Sequence, residues 1–86
     1  MKQTKDEINE IVVKAREEII ELAKEKAQKR GISPKKILRL EAGIENGKKK
    51  IFIKICERKP KTKKSFHQFE FFAIIGDYPL YVKVAF

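Results

Sequence analysis

From residue 8 onward, apolar side chains return at steps of three and four: Ile8, Ile11, Val12, Ala15, Ile19, Leu22 and Ala23. That spacing lays them along one stripe of an amphipathic helix. Ahead of the stripe, Thr4-Lys5-Asp6-Glu7 has the form of a capping box, with Thr4 accepting from the backbone and Glu7 reaching back. Acidic residues lie early in the segment and Lys26, Lys29 and Arg30 lie late, which suits the helix dipole. Gly31 and then Pro34 stop it. The pattern predicts one helix over about residues 5–30, roughly 39 Å long at about 1.5 Å per residue. Val13 and Ile20 fall off the stripe, where they either widen the core face or meet a second subunit.

Beyond residue 37 the period becomes two. Asn46-Gly47 is a strong signal for a tight hairpin turn with positive φ at both central positions. With Glu45 paired to Lys48, Ala42 faces Ile51, Leu40 faces Ile53 and Leu38 faces Ile55, all on one side of the sheet. The other side then brings Glu41 to Phe52 and Arg39 to Lys54. A second turn cluster, Gly76-Asp77-Tyr78-Pro79, pairs Ile75 with Leu80, Ala73 with Val82, Phe71 with Val84 and Phe69 with Phe86. Both registers sort apolar side chains onto a single face. The expected fold is therefore α+β: a single domain over residues 1–86, with a long N-terminal helix packed on one face of a four-stranded antiparallel sheet. The strands are expected at about 37–45, 48–57, 66–75 and 80–86, running as a meander.

A helix followed by antiparallel strands is similar in element order to cystatin-like folds. None of the cystatin motifs is present, so the resemblance implies an architecture and no function. A local alternative starts a second helix at Ser33-Pro34 and closes it at Gly43. Over Arg30-Gly31-Ile32-Ser33 through Arg39-Leu40-Glu41-Ala42-Gly43 the chain then resembles the turn and recognition helix of helix-turn-helix repressors.

Composition narrows the class. The chain is 42% hydrophobic and 38% charged over 86 residues, the profile of a soluble folded domain. No apolar run approaches the ~20 residues that span a bilayer, and MKQTKDEINE lacks the apolar stretch of a secretory signal. A cytoplasmic protein with no membrane contact is expected. Lys, Glu and Ile abound while Cys, Met, Asn and Gln are scarce, a bias of thermophilic proteins. The lone Cys56 has no disulfide partner, no Cys/His pair has metal-ligand spacing, and the scattered glycines form no phosphate loop. Neither metal nor cofactor is expected.

The formal charge of +9 is unevenly placed. Residues 1–30 carry eight Lys/Arg against seven Asp/Glu, whereas residues 31–86 carry thirteen against five. Such asymmetry points to a polyanion-binding face. The candidate phosphate contacts are Lys48, Lys49 and Lys50 in the first turn, Arg58, Lys59, Lys61, Lys63 and Lys64 in the basic segment between strands, and Arg39 with Lys54 on the outer face of the sheet. Lysines in turns and at sheet edges also guard against edge-to-edge aggregation.

The outer face carries Phe52, Cys56, Phe66, Phe72, Ile74 and Tyr81, where a half-exposed sheet normally alternates to polar residues. Aromatics beside cations suit base stacking, and a contiguous apolar patch suits association with a second copy or a protein partner. The leading expectation is a non-enzymatic nucleic-acid-binding protein, regulatory or architectural, which forms a homodimer. The alternative is a protein-interaction module, an assembly subunit or inhibitor, docking through the apolar outer face. A lesser alternative is a small toxin-type RNase using His67 as base, with Glu70, Lys63, Lys64 and Tyr81 around it.

Overall fold

The computed structural model describes residues 4–33, 37–58 and 67–86. Its elements are α1 (Lys5–Lys14), α2 (Arg16–Lys29), β1 (Arg39–Asn46), β2 (Lys49–Glu57), β3 (Gln68–Ile75) and β4 (Tyr78–Ala85). The architecture is α+β, with the helical segments on one face of a four-stranded antiparallel sheet.

The helix begins at the capping box: Glu7 N–H donates to Thr4 Oγ1 at 3.2 Å, satisfying one of the orphan donors of the first turn. It ends in a Schellman arrangement, in which Ile32 N–H donates to the Ala27 carbonyl and Gly31 N–H to that of Gln28, with Gly31 at φ +78°. The expected single helix is broken at Ala15, whose φ of −94° and ψ of 5° leave the helical region. Alanine is the strongest helix former, so propensity does not cause the break. The break falls where the chain passes from β1 and β2, which α1 contacts, to β4, which α2 contacts.

Ile8, Val12, Ile19 and Ala23 from the helices are buried against Leu40, Ala42 and Ile44 of β1, Ile75 of β3 and Leu80, Val82 and Val84 of β4. Burying a Leu, Ile or Val side chain stabilises by about 1.5–3 kcal/mol, so this layer is the main favourable contribution to the fold. Ile20 widens the core face, while Val13 stays 59% exposed.

The sheet order is β2-β1-β4-β3, which corrects the expected meander. β1 and β4 lie in the centre and β2 and β3 are the two edges, so the connection from β2 to β3 passes from one edge to the other. Centring β1 and β4 puts Leu40, Ala42, Leu80 and Val82, all fully buried, under the helix.

Both hairpins are shifted by two residues from expectation. Asn46 pairs with Lys49, leaving Gly47-Lys48 as the turn, and Ile75 pairs with Tyr78, leaving Gly76-Asp77. Gly47 and Gly76 take positive φ (72° and 62°) and no described non-glycine residue does, so only the first central position is left-handed, as in a II′ turn. Because side chains alternate with period two, an even shift keeps each residue on its predicted face. Pro79 sits inside β4 and not in the turn, beyond the last β1–β4 pair, Gly43 with Tyr81. A residue without N–H is tolerated there because no β1 partner extends past it.

One irregularity changes faces. The β1–β2 register slips between Leu40 and Glu41, so that Glu41 pairs with Lys54 but Leu40 with Cys56, and Ile55 is left over as a bulge. Cys56 is thereby moved from the outer face, where it was expected, into packing against the core, and Glu57 comes opposite Arg39. The helix-turn-helix alternative is excluded over Arg39–Gly43, which is strand; residues 34–36 lie outside the described residues.

Candidate functional site

Register alone places two rows of side chains across the outer face. Lys54, Glu41, Lys83 and Glu70 form one, pairing in turn from β2 through β1 and β4 to β3. The next is Phe52, Gly43, Tyr81 and Phe72. Three aromatics therefore cross the sheet in a line, with the glycine between the first and second.

Gly43 shapes the face. A Cβ on it would point outward, opposite to buried Ala42 and Ile44, and would collide with the Ile51 carbonyl oxygen. β2 is thus folded over towards the outer side of β1, and the outer face is concave. The same curvature lets Lys50 of one edge strand reach Glu70 of the other at 3.4 Å, although two strands separate them.

The cations on this face are held in place. Lys50 Nζ lies 4.1 Å from the centroid of Tyr81, and Lys83 Nζ lies 4.3 Å from that of Phe52, both within cation–π range. Tyr81 hydroxyl donates to Glu45 at 3.2 Å, and Phe72 packs against Tyr81 with centroids 5.1 Å apart. Lys54 donates to Glu57 at 2.6 Å and Arg39 stands 3.6 Å from the same carboxylate. The Lys54 hydrogen bond and charge, helped by Arg39, hold the Glu57 carboxyl below its ordinary pKa. These pairs are about half exposed, so solvent screens them and they add little to stability. Their consequence is positional.

Among the described residues, Arg39, Lys50, Lys54 and Lys83 on this face are matched by Glu41, Glu45, Glu57 and Glu70. The face is locally neutral, which departs from the expectation that Arg39 and Lys54 extend a positive strip across it. Uncompensated cations sit at its ends. Lys48 and Lys49 are exposed at the hairpin end and make no ion pair among the described residues. Arg58 is exposed at the opposite end, its N–H donating to the Leu38 carbonyl at 2.7 Å. Lys59, Lys61, Lys63, Lys64 and Phe66 lie outside the described residues.

No protein-family model matches the chain, and neither curated proteins nor solved structures give a match. No helix among the described residues is long and apolar enough to cross a membrane.

Three cations on or beside the sheet were not proposed as site residues from the sequence. Arg30 lies over Phe69, with Cζ 4.5 Å from the ring centroid, and Lys26 lies 6.0 Å from that of Phe71. Lys26 in the last turn of α2 and Arg30 as its C-cap lie beside the first half of β3, and so add positive charge to the Arg58 end of the sheet. Lys83 is the third. Only tertiary pairing reveals them, since roughly forty residues of chain separate Arg30 from Phe69. Conversely, His67 is not brought together with Glu70 and Tyr81. It exchanges backbone hydrogen bonds with Phe86 in the β3–β4 ladder, and strand alternation sends its side chain to the face opposite Glu70. A groove lies between α1, the start of α2 and the Gly76-Asp77 turn; its acids Glu7, Glu10, Glu18 and Asp77 outnumber Lys14. Such a lining repels phosphate.

Proposed function

We propose that this protein is a small cytoplasmic nucleic-acid-binding protein without enzymatic activity, which takes single strands on the concave outer face of its sheet. The observation that carries the reading is the aromatic row Phe52–Tyr81–Phe72, which crosses the sheet from β2 to β3 part-way between the Lys48–Lys49 end and the Arg58 end of the strands. Single-strand binders combine base stacking on aromatics, worth about 1–3 kcal/mol per base, with cations that track phosphates. Phe72 is 51% exposed and offers the open ring. Lys50 and Lys83, already resting on rings, need only swing outward to meet phosphate. Lys48 and Lys49 at one end and Arg58 at the other, together with the charge that Lys59, Lys61, Lys63 and Lys64 add to the chain, supply the long-range attraction. Phosphate contacts position a strand without reading its sequence, so little base specificity follows.

Fluorescence anisotropy of labelled single-stranded DNA, RNA and duplex DNA at several salt concentrations tests this. Single strands should bind in preference to duplex, with a log–log salt slope of about −3.5 to −5.5, corresponding to roughly five to eight neutralised phosphates. Phe72→Ala should weaken single-strand binding without altering that slope, and Lys48→Glu with Lys49→Glu should flatten it. Equal, weak binding to all three ligands would discard the reading. The second reading, docking of a protein partner, is favoured by the exposure of Ile74 (70%) beside Phe72. It predicts nucleic-acid binding indifferent to Phe72 and a partner lost on Phe72→Asp.

A further inference from the structure

We propose that β3 is the contact strand of a homodimer, pairing antiparallel with β3 of a second copy about a two-fold axis at Ala73. This inference does not depend on nucleic-acid binding.

The two edges of the sheet are treated differently by the sequence. β2 (KKIFIKICE) is interrupted by Lys49, Lys50 and Lys54 and by the bulge at Ile55, devices that discourage another strand from adding. β3 (QFEFFAII) has one charge, no proline and an unbroken register with β4 from Gln68 to Ile75. Among the described residues no strand pairs with its outer edge. A long, regular, apolar edge is what a soluble protein covers.

The ladder shows which backbone groups are on offer. His67 and Phe86 exchange both hydrogen bonds, so in the same register the odd-numbered residues of β3 bond to β4. Gln68, Glu70, Phe72 and Ile74 therefore aim their N–H and C=O groups away from the sheet. Their side chains are the outer-face set, which includes the exposed Phe72 and Ile74. Backbone donors and exposed apolar side chains thus coincide on the same residues.

Self-pairing must keep outer faces together, which restricts the axis to a residue of β3 and not the gap between two. An axis at Ala73 sets Phe72 opposite Ile74 of the second copy and Ile74 opposite its Phe72, two aromatic–β-branched pairs of the kind that stabilise sheets. On the core face Phe71 then meets Ile75. An axis at Glu70 would oppose the two Glu70 carboxylates, and one at Phe71 would set Glu70 against Phe72. The axis at Ala73 leaves Glu70 at the rim. The product is one continuous sheet with both helical layers on the same side, an isologous contact that closes on itself. The surplus cations of Lys48, Lys49 and Arg58 belong to β2 and its flanks, at the far edge from the contact.

Sedimentation equilibrium of the full chain, without nucleic acid, should give twice the 10.1 kDa of one chain. Ile74→Lys, at a site exposed in the single copy, should return it to the mass of one chain with an unchanged circular dichroism spectrum, whereas Lys48→Glu should leave the dimer intact. For register, Ala73→Cys in a Cys56→Ala background should form an interchain disulfide on mild oxidation, because the axis sets the two residues directly opposite, within about 4.5–5.5 Å of each other. A chain that sediments as a monomer at every concentration overturns the proposal. So does a dimer that persists in Ile74→Lys, or an Ala73→Cys variant that never cross-links. If Ile74→Lys fails to fold, the cross-link decides.

Discussion

Gly43 and Ile51 stand so close that a Cβ on Gly43 would collide with the Ile51 carbonyl oxygen. The obstacle is a backbone atom, so no rotamer change relieves it. Gly43→Ala is expected to destabilise by about 2–4 kcal/mol, as overpacking against a fixed neighbour does. Urea unfolding measures it. Gly76, with open space where its Cβ would go but φ at +62°, is expected to cost only about 1–2 kcal/mol as alanine.

Leu80 is fully buried in a central strand under the helices. Leu80→Ala removes its packing and leaves a cavity, with an expected loss of about 2–5 kcal/mol in the same unfolding measurement. Val13→Ala, 59% exposed, should change stability by no more than about 0.5 kcal/mol.

Thr4 accepts from Glu7 N–H and donates to its carboxylate, each at 3.2 Å. Thr4→Ala should lower stability by about 1 kcal/mol, and Thr4→Asn should largely preserve it. The comparison of the two separates capping from a general loss at the terminus.

Glu57 titrates below its ordinary range because Lys54, and then Arg39, favour the carboxylate. A depressed folded value means that the contribution is present above the unfolded pKa and is lost as pH falls through the folded one. A carboxyl carbon titration by NMR should therefore find Glu57 ionised to lower pH than a free glutamate. Lys54→Met should bring its midpoint back up.

Glu70 holds Lys50 at 3.4 Å across the concave face. If that face takes nucleic acid, Glu70→Gln frees a cation and removes a repelling carboxylate, so single-strand affinity should rise severalfold at low salt. An affinity unchanged by Glu70→Gln, measured by anisotropy, would place the binding surface elsewhere.

Local features were legible in the order of residues alone. The Thr4 cap, the Gly31 stop and the stripe from Ile8 to Ala23 delimit a helical segment, because capping and the period of 3.6 are properties of neighbouring residues. Each hairpin is two residues out of its expected register, yet Leu40, Ala42, Val82 and Val84 stay on the core face and Phe52, Phe72 and Tyr81 on the other, since alternation is blind to an even shift. Strand order was not legible. Alternation says which face a side chain joins and nothing about which strand lies beside it, so the pairing of β1 with β4 was settled by burying both under the helices. The bulge at Ile55, the break at Ala15 and the closure of β2 over Gly43 depend on that order in turn. From them come the ion pairs of Lys50 with Glu70 and Arg39 with Glu57, which convert an expected positive strip into a neutral concave face with cations at its ends. Long-range pairing decided these features because it alone brings residues far apart in the chain within reach of one another.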